Sequence, residues 1–369
     1  MIKEFHIVGY RGFSEYHLEG LSRVNVFVGK NNAGKSSLLE ALHLHSMRLD
    51  AQALQAVALR RGELLLDVES RSPDQFQFDL SHFFNGHRIR NGSMIELRSD
   101  KQSLNLKVGA YQGLPQTDFD EGGLFNDHPR RDLLSLTASS GAGDEAHALY
   151  EAVVAASGAM MSPRRPYLRG SMSLAANPFI SPDSLDSSSL VSMWNKVLVR
   201  NDESKIVEAL KILEPSVSSI VFLLPEFVNS RYIQRASLAG IVVGMANGGK
   251  RYPLGSMGDG MKRLLAIALA LSCSSGGSLF VDEIDSGLHY SVMRDLWRLV
   301  INAAIANNVQ VFVSTHSLDC LRGLSVLSCE NFKDKSAVSL YSVNANDAEA
   351  TCYSTKEIDT IITHELEVR

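Results

Sequence analysis

Gly29-Lys30-Asn31-Asn32-Ala33-Gly34-Lys35-Ser36 decides how this chain folds, because it fills every fixed place of the pattern Gly-x-x-x-x-Gly-Lys-Ser/Thr. The pattern carries meaning only between a strand and a helix, and both flanks fit. Upstream, Val24, Val26 and Val28 read as a buried strand; downstream, Leu38, Leu39, Ala41 and Leu42 recur at helical spacing. The glycines let backbone N–H groups from Gly29 to Gly34 turn inward around phosphate oxygens. The helix start, with Lys35, Ser36 and Ser37, adds the positive end of its dipole. Lys35 is then placed to reach the β- and γ-phosphates of a nucleoside triphosphate, and Ser36 to offer its hydroxyl to Mg²⁺.

A second run lies far along the chain. Ser278-Leu279-Phe280-Val281-Asp282-Glu283 is an apolar strand ending in two carboxylates. In phosphoryl transfer to water, one such Asp holds the metal shell and the next Glu polarises the attacking water, so Asp282 is the metal-side residue and Glu283 the base. The strand Val309 to Val313 then delivers Ser314, Thr315 and His316 at its C-terminal end, the edge that faces ligands in open parallel sheets. A lone histidine is more often structural, yet one at this edge can contact a γ-phosphate or order water. Between the two halves, Leu254-Gly255-Ser256-Met257-Gly258-Asp259-Gly260-Met261-Lys262-Arg263 leads into an apolar helix, and small residues before a helix again make an anion site.

Together these runs resemble the ABC-type ATPase heads of the SMC/RecF-like group. More narrowly, they are similar to the OLD-like ATPases of bacterial defence, whose first strand ends in a turn like Tyr10-Arg11-Gly12-Phe13. The similarity covers residues 1–48 and 250–320. It implies an α/β P-loop NTPase of ABC-ATPase head type, a mixed sheet with flanking helices, an antiparallel β lobe and a helical and loop insertion. It also implies ATP and Mg²⁺ as cofactors. Under this resemblance Ser256 and Gly258 match the signature loop that completes a neighbouring copy's site at its γ-phosphate. Asp285 matches the dimer-contact loop, His316 the switch histidine, and Arg11 lies near the nucleotide. Met257 and Asp259 depart from the commonest signature spelling, and Gln75, Gln77 and Gln112 all stand open for the family's glutamine loop.

Composition narrows the classes. With 45% hydrophobic and 21% charged side chains, 369 residues can bury a substantial core. Cys273, Cys320, Cys329 and Cys352 lack Cys-x-x-Cys spacing and suit a reducing cytoplasm. No apolar run approaches the ~20 residues of a membrane span, and the start Met1-Ile2-Lys3-Glu4 is no signal peptide. A formal net charge of −5 argues against a chain dominated by nucleic-acid affinity. Local arginines (Arg60-Arg61, Arg88 and Arg90, Arg130-Arg131, Arg164-Arg165 with Arg169) read as solvated surface or as a contact for DNA or a partner.

The expected organisation is a split head. Residues 1–112 carry the phosphate loop and short strand-like runs (Leu64 to Val68, Phe76 to Leu80, Met94 to Leu97, Leu104 to Val108). Residues 113–213 form a lid or insertion with a helical stretch from Glu145 to Ala156 and a helix from Glu203 to Leu213. Residues 214–369 complete the head. OLD-type nucleases carry a Toprim domain after the ATPase; the span after His316 is too short for one, and Asp118-Phe119-Asp120 reads as an acidic loop more readily than as a nuclease metal site. The expected function is a cytoplasmic ATPase that pairs with itself on ATP and gates a separately encoded effector, such as a Toprim-like nuclease or toxin. The alternative from another class is a DNA-end-binding repair ATPase like RecF, and a third is a scaffold that holds ATP with little turnover; Glu283 speaks against the last.

Overall fold

In the computed structural model the strand leading into the phosphate loop is β3 (Val24–Val28), buried along its whole length. The structure describes residues 1–66, 76–111, 133–141, 146–163, 177–182, 187–223, 240–246, 249–329, 337–353 and 357. β3 sits inside a six-stranded sheet that also holds β11 (Phe179–Ile180), β15 (Ser278–Val281), β16 (Gln310–Ser314), β17 (Val338–Ser342) and β18 (Thr351–Tyr353). Their order is β11-β15-β16-β3-β17-β18, parallel except for β18 at the edge.

Two-residue periodicity divides this sheet into two faces. Val26, Val28, Leu279, Val281, Val311, Val313 and Leu340 point into one core, which they share with α3 (Ser187–Val199), α4 (Glu203–Leu210), α5 (Asp259–Cys273), α6 (Met293–Ala306) and α7 (Leu318–Cys329). The intervening residues are aromatic. Phe280 stacks on Phe179 at 6.3 Å and on Phe312 at 5.3 Å; Phe312 lies 6.5 Å from Phe27, which lies 5.6 Å from Tyr341. One ring from each parallel strand thus forms a ladder across the sheet. Each fully buried Phe contributes about 1.5–3 kcal/mol by transfer from water.

The aromatic face packs against α1 (Lys35–Ser46) and α2 (Ala51–Arg61), which are covered on their far side by a second sheet. That sheet is antiparallel, in the order β10-β9-β8-β7-β6-β1-β2. Its strands are β1 (Phe5–Tyr10), β2 (Phe13–Leu18), β6 (Met94–Ser99), β7 (Ser103–Ala110), β8 (Leu133–Ser140), β9 (His147–Ala155) and β10 (Met160–Pro163). Short strands β4 (Leu64–Leu66) and β5 (Phe76–Phe78) pair nearby, and β12 (Val217–Phe222), β13 (Ile241–Met245) and β14 (Arg251–Pro253) make a third small sheet. The mixed sheet, flanking helices and antiparallel lobe are those expected.

One expectation is corrected. The stretch from Glu145 to Ala156 reads as a helix because of its alanines, but the described part is β9, paired between β8 and β10. Tyr150, Ala152 and Val154 face the core at every second position, and this tertiary pairing outweighs alanine's helical preference. The antiparallel sheet therefore extends into the range read as an insertion. The helix expected from Glu203 ends at Leu210, with Ile206, Ala209 and Leu210 buried as anticipated.

His43 shows how tightly α1 is enclosed. Its ring packs against both Phe179 and Phe280, and Nε2 is 3.1 Å from the carbonyl of Asn177, which only accepts, so Nε2 carries the proton. Burial, then the charge of Arg60, push its pKa down to about 3. A histidine held neutral in the fold but free to protonate when unfolded adds stability that is complete above pH 6.5. That contribution is lost as pH falls from 6.5 toward 3, by at most about 1.4 kcal/mol per pH unit. His43→Gln should flatten the dependence of urea-unfolding stability on pH between 6.5 and 4. An unchanged slope would assign the acid sensitivity elsewhere.

Candidate functional site

β3, β16 and β15 are neighbours, so the segments leaving their C-terminal ends meet at one edge of the sheet. From β3 the chain enters the loop Gly29–Gly34. Gly34 precedes α1 with φ 98°, and a Cβ there would lie 2.8 Å from the Phe13 ring. At Gly29 a Cβ would lie 2.5 Å from the carbonyl oxygen of Val343. Packing as well as dihedral angle therefore demands glycine at both. No side chain caps α1, which leaves its first N–H groups turned toward the loop. Lys35 Nζ donates to the carbonyls of Gly29 (2.8 Å) and Lys30 (2.9 Å). Burial lowers its pKa, opposed by the charges of Asp282 and Glu283. Ser36 and Ser37 are half-buried, while Lys30, Asn31 and Asn32 are exposed and Ala33 is buried.

From β15 the chain enters Asp282 and Glu283. Asp282 is buried, and its Oδ1 accepts from the Ser314 hydroxyl at the end of β16. Ser314 Oγ also accepts the Glu283 N–H at 2.8 Å. Glu283 has φ 50°, a left-handed conformation that costs an ordinary residue about 1–2 kcal/mol. Its carboxylate is 42% exposed and 3.9 Å from Nδ1 of His316, which is 52% exposed. Thr315 Oγ1 donates to Asp285 Oδ1 at 2.5 Å. The strand-end run Ser314-Thr315-His316 thus meets Asp282, Glu283 and Asp285. Sequence reasoning placed Ser314 and Thr315 at this edge without giving them partners; the signal was two hydroxyls directly following the apolar run Val311-Phe312-Val313.

Asp282 and the Ser36 hydroxyl are hard oxygen donors of the type that Mg²⁺ takes alongside phosphate and water. Among the described residues no group of three or more His, Cys, Asp or Glu could hold a metal by itself.

Ser256 lies in a short 3-10 turn, Leu254–Met257, and Gly258 (φ 87°) precedes α5 without a side-chain cap. Both residues are exposed. A Cβ on Gly260 would lie 2.7 Å from the carbonyl oxygen of Gly287, so the first turn of α5 abuts the turn after Asp285.

Arg11 is held in an ion-pair network. Its guanidinium is buried and engaged by carboxylates: Nη1 and Nη2 bind Glu63 at 2.5 and 3.0 Å, and Nε lies 3.1 Å from Glu40 on α1. Arg61 grips the same Glu40 (Nε to Oε1, 2.8 Å) and reaches Ser37 Oγ at 3.5 Å. Arg11 therefore braces the helix behind the phosphate loop. Of the pair Arg60-Arg61, Arg60 is drawn inward, stacking 4.0 Å over Phe179, whereas Arg61 stays exposed at its bond to Glu40. Arg88 and Arg90 are exposed. Asp118, Asp120, Gln75, Gln112, Arg130, Arg131, Arg164, Arg165 and Arg169 lie outside the described residues.

A glycine loop on one parallel strand, an Asp-Glu pair on the second neighbour and a hydroxyl-histidine run between them define a P-loop ATPase. Residues 119–321 match a family described as "AAA domain, putative AbiEii toxin, Type IV TA system", and residues 1–97 match an "AAA ATPase domain". The chain belongs to this AAA domain family and is an ATP-hydrolysing enzyme. It is 25% identical over 346 residues to an ATP/GTP phosphatase of Helicobacter pylori, covering 86% of this chain and 85% of that protein. It is 32% identical over 131 residues to an uncharacterized protein of Methanocaldococcus jannaschii, covering 30% of this chain and 60% of the relative. Among solved structures, an SMC head bound to the C-winged helix domain of ScpA aligns over 96% of this chain and 99% of its own, at 12% identity and TM-score 0.45. RecF aligns over 96% and 98%, at 13% identity and TM-score 0.41. Among the described residues no helix is long and apolar enough to cross a membrane.

Proposed function

We propose that this ATPase binds ATP with Mg²⁺ at the shared edge of β3, β15 and β16, pairs with a second copy when ATP is bound, and uses that pairing to gate a separately encoded effector in anti-phage defence. The observation that carries the reading is the convergence of Lys35, Asp282, Glu283 and His316 on one sheet edge. Lys35 and the loop N–H groups hold the phosphates, with Ser36 and Asp282 on the metal side. Glu283 takes the proton of the attacking water, and His316 orders that water or the γ-phosphate. Mg²⁺, when bound, neutralises charge on the β- and γ-phosphates.

Pairing is supported by the exposed, uncapped start of α5 at Ser256 and Gly258, which is suited to an anion supplied from outside the chain. The words "putative AbiEii toxin, Type IV TA system" in the family description support a role in a toxin–antitoxin system; a separate effector, such as a Toprim-like nuclease or toxin, and a cytoplasmic setting are further parts of this proposal. Sedimentation of Glu283→Gln chains tests the pairing: they should move from monomer to dimer on adding ATP and Mg²⁺. Adding Ser256→Arg should abolish the shift by placing bulk and charge in the closed interface. An assembly state indifferent to ATP would overturn the pairing, and a dimer surviving Ser256→Arg would overturn the role of Ser256.

A further inference from the structure

The left-handed backbone of Glu283 must be held by something, and one of its restraints comes from the helix that carries Ser256 and Gly258. Arg263 lies in the second turn of α5 and is 3% exposed. Its Nη2 donates to the backbone carbonyls of both Asp282 (2.5 Å) and Glu283 (2.9 Å), and its Nη1 donates to the carbonyl of Ser181, just beyond β11 (2.8 Å). Nε has no hydrogen-bond partner among the described residues. Burial draws the pKa down to about 10 against the opposing charges of Asp282, Asp285 and Glu283, so the group remains a cation at neutral pH. A buried cation spent on three carbonyl oxygens, with no carboxylate in its grip among the described residues, is a poor stabilising device. It is a good geometric one, because a planar fork fixes the two successive peptide units that aim the base.

From these contacts we infer that Arg263 is a positioning residue for ATP hydrolysis, which sets the direction of the Glu283 carboxylate and ties that direction to the position of α5. The helix start is a second tie, since Gly260 packs so near the Gly287 carbonyl, within the turn that follows Glu283, that a Cβ at 260 would lie 2.7 Å from its oxygen. A shift of α5 when Ser256 and Gly258 meet a second copy's nucleotide therefore moves the backbone of this chain's own base. Glycine at 258, exposed and at φ 87°, leaves the helix start free to take up that contact. The inference rests on the proposal that Glu283 is the base.

The test uses Arg263→Lys and Arg263→Gln, alone and combined with Glu283→Gln. Either substitution removes the fork that spans the carbonyls while keeping a polar group in place. Affinity for a fluorescent ATP analogue should stay within about threefold of wild type while kcat falls about 10- to 100-fold, the scale of a small misplacement of a reacting group. In the Glu283→Gln background the same substitutions should cause no further loss, because their effect runs through the base. If the residual rate of Glu283→Gln drops again, or if ATP binding is lost together with turnover, Arg263 is a core strut and the inference is overturned. Wild-type kcat in both Arg263 variants, with Glu283→Gln slow, overturns it alone; wild-type kcat in Glu283→Gln removes the base assignment beneath it.

Discussion

Glu283→Gln should bind ATP as the wild type does and hydrolyse it about 10²- to 10⁴-fold more slowly, the range a positioned general base contributes. The amide keeps the volume and leaves the backbone contacts in place: the N–H is held by Ser314 Oγ and the carbonyl by Arg263. What is lost is the negative charge beside His316 and Lys35, and with it the ability to accept a proton. Lys35→Ala should fail earlier, at binding. Its ammonium lies against the carbonyls of Gly29 and Lys30 at the mouth of the loop, and no other lysine or arginine occupies residues 31 to 47. Single-turnover hydrolysis beside equilibrium nucleotide binding separates the two variants. A wild-type rate in Glu283→Gln would show that another group activates water, and retained affinity in Lys35→Ala would show that loop N–H groups alone hold the phosphates.

Arg11→Met should destabilise the fold by about 3–5 kcal/mol, the cost of leaving a buried charge without its partner. Glu63 loses a two-pronged bond, whereas Glu40 keeps Arg61. The damage should therefore sit mainly at Glu63, and Arg11→Met with Glu63→Met should recover most of the loss, since apolar pairs of similar volume replace buried ion pairs at little cost. Urea unfolding of the two variants checks this. A loss below about 1 kcal/mol in the single variant would mean that water or another cation serves Glu63, and the brace behind α1 would lose its significance.

Much of the catalytic edge was legible in the sequence because its chemistry is local. A loop that must cradle phosphate needs glycines and a lysine at fixed spacing, and carboxylates that end an apolar strand are visible as such. What escaped depended on distant pairing. Arg11 is 52 residues from Glu63, and nothing in the spelling Tyr10-Arg11-Gly12-Phe13 says that a carboxylate waits there. Arg263 was visible inside the glycine-rich run, yet its acceptors are backbone carbonyls, which carry no side-chain signature. The Glu145 to Ala156 stretch was misread for a related reason: alanine favours a helix in isolation, and only β8 and β10 make β9 extended. The aromatic ladder lies between the two cases, since Phe27, Phe280 and Phe312 each follow a buried aliphatic residue, but their alignment exists only once the strands are in register.

The position of β3 between β16 and β17 also has a consequence in time. Its register partners, such as Val311 and Val338 opposite Val24, are made almost three hundred residues later. At a synthesis rate of about 5–20 residues per second, the strand that feeds the phosphate loop spends about 15–60 s on the ribosome without either neighbour. The antiparallel sheet, whose strands all lie before residue 164, has its partners much sooner. Newborn chains thus hold every strand of the antiparallel sheet while β3 still lacks both neighbours, and it is over that interval that Val24 to Val28 most need shielding from other chains.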